Sequence, residues 1–136
     1  MEEPHKTAGQ SSTLAQTKKI LDPQIALDRV GGDNEILVSL LDLFASELPS
    51  IMKALRDAAG SQAGPALNRI AHRLRGSASV FGAEAAAEAA LRLETIAGEG
   101  MVEDIPAAQA QLEKEIARLE PALVQFRAWL LSSASS

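Results

Sequence analysis

His72 is followed by Arg75 three residues on, by Gly76 four on, and by Ser77 and Ser79 beyond. The stretch from Ser61 to Ala83 holds three arginines, Arg69, Arg73 and Arg75, and no carboxylate, in a chain whose formal net charge is −5. A neutral imidazole is a nucleophile near pH 7, and a guanidinium pairs with phosphate oxygens through a planar fork. Together they suit capture of a phosphoryl group, a reaction that needs in-line approach and charge neutralisation more than covalent help. Each residue has an ordinary explanation as well. A histidine on a helix surface is usually only solvated, arginines on a free face aid solubility, and a glycine inside a helix can serve close packing. It is the joint arrangement that favours chemistry.

To act together these residues must share one face of a helix. Leu67, Ile70, Leu74, Ala78 and Phe81 recur at three- and four-residue steps, the mark of a buried helix side, and Pro65 suits the first turn. His72 lies two residues before Leu74, about 200° around the helix, and so faces away from the core. Asn68, Arg69, Arg75, Gly76 and Ser79 share its column. Gly76 leaves no side chain one turn beyond the ring, so a bulky reactant can approach. Glycine there costs about 0.5–1 kcal/mol relative to alanine, in a chain that uses alanine freely.

The neighbouring elements follow from the same periodicity. Asp22-Pro23 caps and opens a short helix that Gly31-Gly32 stops. Asp33 caps a longer one with Leu37, Leu40, Phe44, Leu48, Ile51 and Leu55 on one face and an expected bend at Pro49. Ile36, Leu41 and Leu43 widen that stripe, and the short first helix is expected to cover most of the excess. After the His72 helix, which Gly82 ends, Ala86, Ala90, Leu93 and Ala97 mark a small-residue helix over about 83–97, broken by Gly98-Glu99-Gly100. Leu112, Ile116, Leu119, Leu123, Phe126 and Leu130 mark a last helix from about Pro106, with a kink expected at Pro121. The expected fold is all-α: an antiparallel four-helix bundle over residues 21–131 with a short extra N-terminal helix, a flexible polar leader over 1–20 and a frayed tail over 132–136.

Composition narrows the classes. The chain has 136 residues, 46% hydrophobic and 23% charged, without tyrosine or cysteine. That length points to one domain, and the Ala/Leu bias favours helices over strands. Without cysteine there is no disulfide scaffold or thiol nucleophile, which suits a reducing cytoplasm. The start lacks the layout of a secretory signal, and no run approaches the roughly 20 apolar residues of a membrane span. The negative charge disfavours general nucleic-acid binding. His5 and His72 are the only histidines and no ligand spacing supports a metal site; His5 is given no role.

The residues His72-Arg73-Leu74-Arg75-Gly76-Ser77-Ala78-Ser79-Val80-Phe81-Gly82-Ala83 resemble the signature of histidine-containing phosphotransfer (HPt) domains. That signature runs H-x-L-K-G-[SA]-[SA], then an aliphatic or aromatic residue and Gly-Ala. The resemblance reaches over about residues 21–130, taking in Gly31-Gly32-Asp33, Phe44, Leu48-Pro49, Leu93-Glu94 and Gly98. Arg75 departs from it, standing where the family usually has lysine: charge is kept and head-group geometry is not.

The resemblance implies a phosphorelay intermediate rather than an enzyme with its own kinase activity. His72 would take a phosphoryl group, normally on the distal ring nitrogen, from the aspartyl phosphate of a response-regulator receiver domain and pass it to another receiver. Arg75, Arg69, Arg73 and Ser79 would stabilise phosphate or help docking, and Gly76 would give access. No cofactor is expected, since the Mg²⁺ would come from the receiver's acidic pocket. Expected partners are receivers and a hybrid or separate histidine kinase; the protein is expected to be a cytoplasmic monomer without nucleic-acid or membrane partners. The alternative is a helical docking module that binds a receiver or kinase without carrying phosphate. The phosphorylatable domain of a larger kinase is a further reading, and it would require an ATP-binding domain for which 136 residues leave no room.

Overall fold

A computed structural model of the chain describes residues 20–135; apart from Ile20, the expected leader lies outside them. Asp22 accepts from the backbone N–H groups of Gln24 and Ile25 and, with Pro23 behind it, starts α1 (Pro23–Arg29). Gly31 and Gly32, both at positive φ, turn the chain out of it. Asp33 accepts from Ile36 N and caps α2 (Asn34–Gly60). Next come α3 (Gly64–Val80), α4 (Glu84–Gly98), a 3-10 turn over Val102–Asp104, and α5 (Ile105–Ser135).

Around the bundle α2 packs on α3, α3 on α4, α4 on α5 and α5 back on α2, the closed cycle of an antiparallel four-helix bundle. Short α1 lies across one end, against α2 and α3. Its entry is held by Asp22 N donating to Phe81 O at 3.0 Å, and Leu21 and Ala26 are fully buried. Gly82, in the α3–α4 turn at φ +65°, lets Asp22 approach: a Cβ there would stand 2.7 Å from the Asp22 Cβ.

The core follows the helical spacing with three corrections. In α2, Leu41 rather than Leu40 is buried, and in α3, Ala71 is fully buried while Ile70 is only partly so. A stripe on a wide face can be read one residue off, and packing against two neighbours decides it. The third concerns the width of the α2 stripe. Helix α1 does not cover all of it, because it sits at the bundle end; Ile36 and Leu43 remain 49% and 53% exposed.

Helix α2 runs through Pro49 and α5 through Pro121, and both prolines are exposed, where the carbonyl that loses its partner can meet water. Helix α5 also extends through residues 132–135, the expected tail, since serine and alanine continue the backbone ladder even after the apolar spacing has ended at Leu130. Glu115 is the buried charged side chain among the described residues, and it is satisfied by Gln111 at 2.9 Å and Arg118 at 3.3 Å. No described buried side-chain polar atom lacks a partner, so the candidate chemistry lies at the surface.

Candidate functional site

The rotation of α3 is set by Leu67, Ala71, Leu74 and Ala78, all fully buried. This turns His72 outward, and its side chain is 63% exposed. In α4, fully buried Ala90 and Leu93 together with buried Ala97 place Glu94 at the edge facing α3. The two helices approach closely. At Gly64 a Cβ would lie 2.9 Å from the Ala97 carbonyl oxygen, and at Gly98 one would lie 3.0 Å from the Asn68 amide nitrogen. Asn68 donates to the Glu94 carbonyl at 2.8 Å, one turn below the histidine, and so anchors the backbone that carries Glu94.

Close approach brings a carboxylate to the ring. Glu94 Oε2 lies 2.8 Å from His72 Nδ1, and Oε1 accepts from Arg75 Nε at 2.7 Å. Arg75 Nη2 is also 3.0 Å from Nδ1. These contacts to Nδ1 cannot both be hydrogen bonds to one neutral ring, since a guanidinium only donates and an ionised carboxylate only accepts. The Arg75 bond, opposed by partial burial and aided by the His72 bond, holds the Glu94 carboxyl below the ordinary carboxylate range, so it is ionised at neutral pH. An ionised oxygen facing a nitrogen lone pair at 2.8 Å would be repulsive, whereas facing N–H it is a strong charge-assisted bond. The hydrogen is therefore assigned to Nδ1, and a neutral ring keeps its lone pair on the outer nitrogen, Nε2.

The other residues singled out from the sequence spread over this surface. Arg75 lies against the ring, and Glu94 raises its already high pKa. The guanidinium is thus engaged by a carboxylate from another helix, which the acid-free stretch around His72 concealed. Arg73 points to the other side and meets Glu47 of α2 at 3.1 Å. Arg69 is exposed and makes no ion pair among the described residues. Ser79, half-buried, stands two turns beyond His72, about 10 Å along the axis, outside the ring's hydrogen bonds. Gly76 is exposed, and a Cβ built on it would meet nothing within 4 Å. Close packing does not explain this glycine.

Beside Gly76, between α2 and α3, Leu40, Leu43, Glu47, Ser77 and Val80 line a shallow depression of about 100 Å³, floored by Phe44 and Phe81, whose rings stack 5.6 Å apart. Among the described residues no group of three or more His, Cys, Asp or Glu side chains could hold a metal ion. Nor is any described helix long and apolar enough to cross a membrane.

Comparison with known proteins matches the family model of the Hpt domain to residues 39–122, more than half of the chain, with His72 inside. The chain belongs to the Hpt domain family. Phosphorelay protein LuxU of Vibrio vulnificus strain YJ016 is 41% identical over 73 residues, which cover 54% of this chain and 62% of LuxU. LuxU of strain CMCP6 matches to the same extent. The chain thus matches about three-fifths of the length of these relatives. The crystal structure of histidine-containing phosphotransfer protein B from Pseudomonas aeruginosa PAO1 superposes with a TM-score of 0.73 at 27% identity, covering 80% of this chain and 95% of that one. In this Hpt domain Glu94 is the site residue that reading the His72 helix alone does not reveal. Its signal was Leu93-Glu94 with Gly98, noted as part of the family resemblance with no role attached.

Proposed function

We propose that this Hpt domain is a phosphorelay intermediate in two-component signalling, carrying the phosphoryl group on His72. The observation that carries the reading is the exposed ring, bound through Nδ1 to an ionised carboxylate, with Nε2 left open beside a residue that has no side chain. Nε2 attacks the phosphorus of a receiver's aspartyl phosphate. The Nε2–P bond forms as the P–O bond breaks, and its electron pair returns to the aspartate. The second half is the reverse, onto another receiver. A divalent ion in the receiver's acidic pocket supplies charge neutralisation to the acyl phosphate; no step needs one held by this chain.

Arg75 and Arg69 supply positive charge near the path of the phosphoryl group, and Gly76 opens that path. Arg73, tied to Glu47, and Ser79 belong to the docking rim. The depression holding Leu43 and Val80, one to two turns along α3 from His72, with exposed Ile36 two turns further on the same face of α2, gives a receiver an apolar contact on the same surface as the reacting ring. With no nucleotide-binding motif in the sequence, the protein is read as a carrier without kinase activity of its own. It is read as a cytoplasmic monomer whose partners are receivers and a hybrid or separate histidine kinase. The same apolar surface would also serve the alternative reading, a docking module that carries no phosphate. The test is to mix the protein with a phosphorylated receiver domain. An acid-labile phosphoprotein is expected, and His72→Gln should remain unlabelled; label retained by that variant would place the chemistry on another residue.

A further inference from the structure

Helix α5 is apolar on two sides. Leu112, Leu119, Phe126 and Leu130 line the core. On the side turned away from it, Ala117, Pro121, Val124 and Ala128 succeed one another at four- and three-residue steps, and all four are exposed. Val124, at 67%, is the most exposed large apolar side chain among the described residues. A helix that is apolar on its inner and its outer side is ordinarily covered on both. Beside Val124, between α5 and α2, lies a depression of about 140 Å³, with Ala45, Leu48 and Leu123 in its lining and the charged side chains of Glu120 and Arg127 alongside. An apolar cavity on the order of this size holds a benzene ring, so a branched aliphatic side chain fits.

We propose that the α2–α5 face is where two copies of the chain pair, antiparallel and two-fold symmetric about a point near Val124. The pairing is independent of the phosphorelay reading. Three observations select a second copy as the occupant. A projecting side chain and a depression lie side by side on one face, so each copy can offer its Val124 to the other, as a two-fold contact requires. The charges are also self-complementary. Glu120 and Arg127 are seven residues apart, two turns or about 10 Å along the same side of α5. Reversing a second α5 about a point midway between them sets Glu120 against Arg127 of the second copy, and does so twice.

Both groups have capacity for that contact. The Glu120 carboxylate acts on Arg56 through space but makes no hydrogen bond or ion pair among the described residues. Arg127 reaches Asp42 through Nε and Nη2 alone, which orients the guanidinium and leaves Nη1 for a further acceptor. Finally, the α2–α5 seam lies opposite the α3–α4 seam in the helix cycle, so pairing leaves both His72 rings open.

From Ala117 to Ala128 the face is about 17 Å long and about two helices wide, roughly 300 Å² from each copy. That is well below a standard interface, so the pair is weak and reversible. The monomer of the reading above is its dilute form, and pairing appears where the chain is concentrated.

The test is sedimentation equilibrium of the full chain from about 1 μM to about 1 mM, a series that brackets weak association. The wild-type mass should rise from one chain toward two. Val124→Glu sets two carboxylates together near the two-fold axis, and Ala45→Glu puts a charged side chain into the depression. Both variants should stay single throughout, with helical content unchanged by circular dichroism. Ile36→Glu, on the side of α2 that faces α3, should pair as the wild type does. Glu120→Arg alone and Arg127→Glu alone should each pair roughly tenfold more weakly, the scale of losing two exposed charge pairs. An equal mixture of those two variants should pair again, since every contact between copies then joins opposite charges. A wild type that is still a single chain at the top of the series overturns the inference and gives the face to a different protein. Pairing of Val124→Glu at wild-type strength overturns it too, by placing the contact elsewhere. Val124→Glu should accept a phosphoryl group from a receiver domain at the wild-type rate whatever its mass, so the pairing and the phosphorelay reading fail separately.

Discussion

Cross-helix ion pairs of the same side-chain types can be compared on two of the bundle's seams. On the α2–α5 seam Arg56 meets Glu113 at 2.8 Å and Arg127 meets Asp42 at 2.6 Å. Each carboxylate there serves one guanidinium, and the two arginines are about half exposed. On the α3–α4 seam a better shielded carboxylate, Glu94, divides its oxygens between Arg75 and a histidine ring. The bond types are alike; the second partner differs. A guanidinium keeps its protons through any ordinary chemistry, whereas an imidazole uses its own. The same kind of pair is surface electrostatics on one seam, and under the proposed function it touches the phosphoryl-carrying ring on the other.

The largest expected effect lies at the ring itself. His72→Gln should abolish phosphoryl acceptance while circular dichroism shows an intact bundle. Gly76→Glu, which fills the open approach, should slow transfer strongly with the fold retained; wild-type rates from that variant would break the link between access and Gly76.

Next comes the turn that ends the His72 helix. Gly82→Ala sets a Cβ at positive φ against Asp22, and should destabilise the protein by about 1–3 kcal/mol in denaturant titration. Gly76→Ala should do the reverse and stabilise by about 0.5–1 kcal/mol, since its Cβ would meet nothing. Two glycines six residues apart should thus respond with opposite signs, one held for the fold and one for access.

The smallest effects sharpen the two seams against each other. Glu94 and Glu113 both sit below the ordinary carboxylate range, in each case chiefly through a guanidinium bond. A carboxyl depressed by folding stabilises above its unfolded value, and that contribution disappears as pH falls through the folded value. Glu94→Gln and Glu113→Gln should therefore each flatten the loss of unfolding free energy on acidification in denaturant titrations, by well under about 1 kcal/mol. Only the Glu94 change should alter transfer. An equal effect of Glu113→Gln on transfer would erase the distinction between the seams.

Much of this was legible in residue spacing. Asp22 and Asp33 as caps, the glycine breaks, the inward faces of α4 and α5 and the outward turn of His72 all depend on contacts within one helix or turn. Where spacing was ambiguous it erred by one position, as between Leu40 and Leu41, because a wide apolar stripe has no single centre until neighbours pack on it. The exposure of Ile36 and Leu43 was misjudged for the same reason: the reach of α1 is a tertiary quantity. The site was half legible. His72, Arg75 and Gly76 lie within one turn and announce each other, while Glu94 is 22 residues from His72 and carries no local sign of its role.

Sequence alone determined the helices, their buried sides and the histidine turned to solvent, since periodicity and capping are set by residues a few positions apart. Only the tertiary structure decided which carboxylate meets the ring, and with it which nitrogen is free. That choice follows from how closely α3 and α4 can pack, through Gly64, Gly98 and the Asn68 bond, and such a distance is written in no single helix.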